Sequence, residues 1–269
     1  MTKALIFLAL LWSSFAMGQN IWMTPNQGQW DSRIDYAVDI AQGKLYIENN
    51  GMCYFLTDAM SHDESHGHTH EGEDSEHAIN YHVIKQNFIG SQNSDHFGSG
   101  KSDYYKNYLI GNDPLKWKSK VLSYNEVLYQ SFYEGIDLIY LGQKGQLSYN
   151  FIVNPESNIE LIAFNFEGAE SVRLKQGKLV VAHRFGQIIQ SQPKAWEIDE
   201  NGNRKRVKVQ YKITNDVISF KFPEGYDTTK RLYIDPSLTF STFSGSTIDN
   251  WGFTATPDIY GNLFGGGIV

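Results

Sequence analysis

The chain has 269 residues, 41% hydrophobic and 14% aromatic, with 23 Lys and Arg against 30 Asp and Glu, a formal charge of −7. An acidic chain without a basic stripe argues against nucleic acid as a partner, and its overall charge gives no reason to expect docking on anionic lipid. With one cysteine, Cys53, the fold must rest on its apolar core rather than on disulfides, and the length allows one large domain or two small ones.

Met1-Thr2-Lys3 opens the chain with positive charge, Ala4 to Trp12 is almost wholly apolar, and Ala16 and Gly18 are small residues where a signal peptidase needs them. Residues 1–18 therefore read as a secretory signal peptide, cut to leave Gln19 as the new N-terminus. The apolar run is short for a bilayer span. Cleavage removes Lys3 and moves the formal charge from −7 to −8, 22 cations against 30 anions. No later segment is apolar enough to cross a membrane, so the expected mature chain has no membrane span and is secreted or held at the cell surface.

Strands follow nearly everywhere. Ile34 to Ile40 alternates apolar and polar residues, as a half-buried strand does. Lys44 to Glu48 and Met52 to Leu56 flank the turn signal Asn49-Asn50-Gly51. Tyr81 to Ile84 runs on into Phe88-Ile89. Ile136 to Leu141 and Leu147 to Val153 form a hairpin about Gly142 to Gly145, and Ile159 to Phe166 alternates again. Val207 to Ile213 is the clearest strand, with Val207, Val209, Tyr211 and Ile213 on one face after the Asn201-Gly202 turn. Val217 to Phe222 and Arg231 to Ile234 complete the series. Short strands between Gly and Asn turns, without a convincing amphipathic helix, predict an all-β fold, an antiparallel β-sandwich-like region over 19–237. Beyond Pro236 the composition turns to Thr, Ser, Gly and Phe, which marks a boundary.

Ser61 to His77 breaks the pattern: it holds no apolar residue and is crowded with His, Asp and Glu. Such a segment cannot join a core and reads as an exposed loop. His62, His66, His68, His70 and His77 are candidate ligands for Zn or Cu, since imidazole suits both, and Asp63, Glu64, Glu71, Glu73 and Asp74 lie beside them. The His62–His66 spacing fits a metalloprotease helix, but Asp63 stands where that motif needs Glu, and Gly67 and Gly72 oppose a rigid helix. A solvated polar loop that takes metal only adventitiously outweighs a dedicated site. The expected cofactor is therefore none, with Zn or Cu as the alternative.

Several segments together carry a family resemblance. They are Pro25-Asn26-Gln27-Gly28-Gln29-Trp30, then Tyr108-Leu109-Ile110-Gly111-Asn112-Asp113 with Trp117, and Tyr133 to Leu138. Tyr149 to Pro155 and Ile234-Asp235-Pro236 complete the set, in the same order along the chain. With these, residues 20–237 resemble the N-terminal β-rich domain of unassigned function (DUF7948-like) that precedes SBBP-type β-propeller repeats in exported, gliding-motility and type IX secretion-associated proteins of Bacteroidetes. Residues 238–269 resemble the start of such a repeat, through Thr242-Phe243-Ser244-Gly245-Ser246, Asp249 to Gly252, Asp258, Gly261-Asn262 and Gly265-Gly266. One partial repeat cannot bury its own faces, which implies a chain that is expected to continue.

Other chemistry is thin. Cys53 between Met52 and Tyr54 reads as a buried free thiol rather than a nucleophile. Glu134 and Asp137 read as turn carboxylates, not an acid/base pair, and Asp258, Gly261 and Asn262 as a turn rather than a calcium loop. Trp22, Trp30, Trp117, Trp196 and Trp251 suit turn packing better than a sugar platform. No catalytic constellation is visible. The expectation is a non-enzymatic structural, interaction or adhesion module whose partner is a protein or glycan at the cell surface. An extracytoplasmic metal-binding protein using 62–77 is the first alternative, and a carbohydrate-active enzyme the second.

Overall fold

The computed structural model describes residues 20–58, 80–143, 145–242, 251–257 and 263–268. Three expectations lie outside them: the signal peptide at 1–18, the His-rich segment with His62, His66, His68, His70 and His77, and the turn at Asp258, Gly261 and Asn262. The described residues hold strands and two short 3-10 turns. In chain order the first strands are β1 (Met23–Pro25), β2 (Ile34–Ile40), β3 (Gly43–Glu48), β4 (Gly51–Thr57), β5 (Tyr81–Phe88), β6 (His96–Tyr108) and β7 (Lys118–Tyr133). There follow β8 (Ile136–Gln143), β9 (Gln146–Val153), β10 (Ala163–Glu167), β11 (Ser171–Lys175), β12 (Lys178–His183), β13 (Gly186–Gln190) and β14 (Lys194–Ile198). The last are β15 (Arg204–Val207), β16 (Gln210–Thr214), β17 (Val217–Lys221), β18 (Arg231–Asp235), β19 (Leu238–Thr242), β20 (Trp251–Pro257) and β21 (Leu263–Ile268).

The all-β expectation holds, and every pairing is antiparallel. A fifteen-stranded sheet runs β15-β14-β18-β9-β8-β7-β1-β2-β3-β4-β5-β10-β17-β16, with β6 branching from β7. A second sheet runs β11-β12-β13-β19, and β20 and β21 pair with each other. The Asn49-Asn50 turn closes the β3–β4 hairpin between paired Glu48 and Gly51. The strand just past Pro236, β19, adds to β13 at the edge of the second sheet.

Two sequence-predicted strands differ. Ile159 to Phe166 begins as a 3-10 turn, Ile159–Leu161, capped by the Asn158 side chain, and becomes strand only at Ala163. The clearest predicted strand, Val207 to Ile213, is divided: β15 pairs with β14 and β16 with β17. The alternation itself is right, since Val207, Val209 and Tyr211 are all buried. Yet Lys208 and Val209 carry the chain from one end of the large sheet to the other. Residues advance no more than ~3.5 Å each, so the sheet curls until its two ends nearly meet. Those ends do not pair, and the ladder stays open.

Alternation aims one row of each strand inward: Leu45 and Ile47, Met52 and Tyr54, Ile84 and Phe88, Leu138 and Tyr140, Tyr149 and Phe151. Leu179, Val181, Ile188 and Leu238 meet this core from the second sheet. Phe88 lies among Phe132, Tyr149, Phe151 and Phe164 at 5.4–5.9 Å between centroids, all edge to face. Each such pair adds about 0.5–1.5 kcal/mol beyond its buried area.

Buried hydroxyls need partners, and two glutamines supply them. Gln86 Nε2 donates to the Tyr149 hydroxyl (3.0 Å), which donates to Gln190 Oε1 (2.8 Å), and Gln190 Nε2 donates back to Gln86 Oε1 (2.8 Å). Tyr54 and Tyr211 donate into the same ring of bonds from outside, at 3.1 and 3.4 Å. Gln190 stands on β13 and Gln86 on β5, so the ring ties the two sheets together.

Candidate functional site

A ribbon made of β6 and β7 branches from the large sheet. Tyr108 pairs with Lys118, and a loop over 109–117 joins the strands. Two side-chain hydrogen bonds frame it. Asp113 Oδ1 accepts from the Leu115 amide (3.0 Å), starting the 3-10 turn Pro114–Lys116, and the Trp117 indole N–H donates to the Gly111 carbonyl (3.1 Å). This frame holds Leu109, Ile110 and Leu115 out in solvent, Leu115 at 89% exposure. Strand β6 adds exposed Phe97, Tyr104 and Tyr105. Exposed aliphatic side chains gathered on one loop make it a candidate interaction site.

The ribbon is braced against the large sheet as far as the foot of its loop. Trp30 meets Tyr108 edge on (5.1 Å) and Tyr46 (6.4 Å), Trp22 meets Tyr104 (5.9 Å), and Lys106 Nζ pairs with Asp39 (2.8 Å). Trp30 is placed by Asn26. The Asn26 Nδ2 donates to the carbonyls of Trp30, Asp31 and Ile34, and its Oδ1 accepts from the amides of Gly28 and Trp30. Gly28 has φ +107°, in the region that favours glycine, and the Lys118 stem lies over the place a Cβ would take. Two of the segments that carry the resemblance, 25–30 and 108–117, thus form one unit: the brace and the tip.

A second candidate lies at the junction of β2, β6 and β7. The Tyr129 hydroxyl donates to Asp35 Oδ2 (3.0 Å), His96 Nε2 is 3.5 Å from Asp35 Oδ1, and the Tyr36 hydroxyl is 3.1 Å from His96 Nδ1. Burial, then neighbouring Tyr124 and Asp35, pushes the Tyr36 phenol up to about 12. Burial, then Asp35, holds Tyr129 well above its ordinary value. The cluster backs a cleft of ≈ 560 Å³ lined by Asn49, Asn93, Ser94, Asp95 and Phe97. The order tyrosine, histidine, carboxylate imitates an activated nucleophile, but Tyr36 is buried among core side chains and its proton is firmly held. The arrangement orients His96 at the cleft wall.

The remaining sequence candidates scatter. Cys53 is half-buried on β4, and burial followed by Glu48 pushes its thiol up, away from the thiolate a nucleophile needs. Asp137 Oδ1 accepts from the Ser131 amide (2.8 Å), bracing a bulge in β7, so it serves the turn. Trp196 stacks on Tyr233 (6.0 Å, 4° between planes), under the Arg204 guanidinium (5.6 Å), far along the sheet order from Trp30 and Trp117. Trp22, Trp30, Trp117 and Trp196 therefore serve three separate places, with Trp22 and Trp30 both bracing the ribbon. Among the described residues no group of three His, Cys, Asp or Glu is placed to hold a metal, and no helix is long and apolar enough to cross a membrane. Neither Asp35 with His96 nor Gln86 with Gln190 was singled out from sequence. Each pair joins residues at least sixty positions apart with no local motif.

Fold and surface define an antiparallel all-β module with a braced side ribbon that carries an exposed apolar loop. The chain belongs to the family described as a domain of unknown function (DUF7948), whose model matches residues 23–237. Comparison with curated proteins and comparison with solved structures each found no match.

Proposed function

We propose that this chain is a non-enzymatic interaction module of a secreted or cell-surface protein, and that the ribbon tip is its contact surface. The observation that carries the reading is the tip: three exposed aliphatic side chains on a loop framed by the Asp113 and Trp117 hydrogen bonds. Leaving apolar side chains in solvent forgoes about 1.5 kcal/mol or more for each that a core would bury, and a contact regains it. The resemblance of residues 238–269 to a propeller repeat supports a role in display, in the exported Bacteroidetes setting that the resemblance implies. The signal-peptide pattern at 1–18 supports export. The non-enzymatic reading draws support from the hydrogen bonds that hold Tyr36, His96, Asp35 and Asp137 in structural tasks.

Retention of the purified chain on intact cells of its source tests the proposal. Leu109→Ser with Leu115→Ser, both fully outside the core, lowers retention about tenfold or more while the thermal unfolding midpoint stays put. Unchanged retention would remove the tip from the function.

A further inference from the structure

We infer that the tip docks on an anionic lipid bilayer, inserting Leu109, Ile110 and Leu115 between headgroups; this rests on the reading of the tip as the contact surface. The first ground is charge. The chain as a whole is acidic at −7, yet residues 101–120 hold five lysines (101, 106, 116, 118, 120) and two aspartates (103, 113). Asp39 meets the charge of Lys106, whereas Lys116, Lys118 and Lys120 form no ion pair among the described residues. The basic charge thus gathers behind the three most exposed aliphatic side chains among the described residues. The overall balance, which gave no reason to expect lipid, conceals this local reversal.

The second ground is the sequence of layers. Leu109, Ile110 and Leu115, at 64%, 52% and 89% exposure, lead, with Lys116 beside Leu115 in the same turn; Trp117, at 40%, closes the loop, and Lys106, Lys118 and Lys120 follow on the strands. At ~3.3 Å per strand residue, Lys106 and Lys120 lie roughly 10 Å behind the leading side chains. Interfacial segments sink their apolar side chains about 5–10 Å into the boundary of headgroups and chains. Trp favours that boundary, and lysine ammoniums then fall at the phosphates. A protein groove fits less well, because lysine is depleted at the core of protein interfaces. The third ground is rigidity. With Asp113 and the Trp117 indole already fixing the loop, docking costs little ordering entropy.

Co-sedimentation of the full chain with vesicles tests the inference. Phosphatidylcholine is compared with an equal mixture of phosphatidylcholine and phosphatidylglycerol. The mixed vesicles bind the chain, phosphatidylcholine alone binds it weakly, and added salt releases it. Leu115→Ser weakens binding to mixed vesicles about tenfold. Lys116→Gln with Lys120→Gln removes the preference for the anionic lipid. Near-ultraviolet circular dichroism confirms that each variant is folded, and Leu109→Ser provides an independent variant at the same tip. Equal binding to both vesicle types, or Leu115→Ser binding like the parent, overturns the inference. If vesicles fail to bind but retention on cells still depends on the tip, the lipid inference falls and the interaction reading stands with a protein or glycan partner. Tip-dependent vesicle binding without retention on cells has the opposite meaning: lipid docking stands and attachment to cells falls.

Discussion

At the scale of single residues, the chain places polar groups in its interior and holds several of them with neutral partners. His183 on β12 is 3% exposed, and its Nδ1 accepts from the Phe185 amide (3.3 Å). Burial first, and then His82 at 6.2 Å between rings, lowers its pKa from 6.5 to about 4. His82 is itself held by the Gly168 carbonyl and the Arg184 amide. The unfolded chain protonates this residue near 6.5 and the folded chain only near 4, so between those values the unfolded state binds more protons. Stability therefore falls as the pH drops through that window, by about 3 kcal/mol in all from this group. Parallel urea titrations at pH 7 and pH 4.5 check it. The pH-dependent loss is smaller in His183→Asn than in the parent, and equal losses would assign the effect elsewhere. None of this was legible in the sequence. His183 stands in an unremarkable run, Val180 to Phe185, and only the second sheet's fold against β5 brings His82 beside it.

At the scale of elements, strands with one wet and one dry face were legible, because alternation is the direct imprint of that environment. Ile34 to Ile40, Met52 to Leu56 and Leu147 to Val153 are such cases, and each is a strand. The ribbon was not legible as strands. On β6 almost every side chain except Ser102 meets solvent, so no period of two is imposed on its sequence. Gly98 on that strand leaves no Cβ, and the Tyr124 ring of β7 lies where one would stand. The tip left only its turn residues, Gly111 to Pro114, as a signal. The division at Lys208 and Val209 left no signal at all, since burial continues to alternate across it while the pairing partner changes. The brace yields a test of its own. Trp30→Ala removes the contacts to Tyr108 and Tyr46. Amide hydrogens of 97–108 and 118–127 then exchange faster, while those of β4, β8 and β9 keep their protection. Uniformly faster exchange would show that Trp30 serves global stability instead.

At the scale of the whole molecule, the two-residue passage from β15 to β16 has a consequence for the order in which the chain assembles. Each flanking hairpin, β14 with β15 and β16 with β17, is local and forms early at small entropic cost. Their neighbours are distant in sequence: β14 needs β18, and β17 needs β10, which needs β5. Residues 208–209 therefore act as a clasp, shut only when pairings across most of the chain are in place. A contact made after the rate-limiting barrier affects unfolding rather than folding. Val209, buried at the clasp, is the position to probe. Val209→Ala costs roughly 1–2 kcal/mol. In stopped-flow chevrons that loss raises the unfolding rate about tenfold and leaves the folding rate near its parent value; a slower folding limb would instead place the clasp in the nucleus. A sheet held shut by its last-formed link opens there first. Its lifetime under heat or force is then set by two residues far, in the order of the sheet, from the ribbon and its exposed loop.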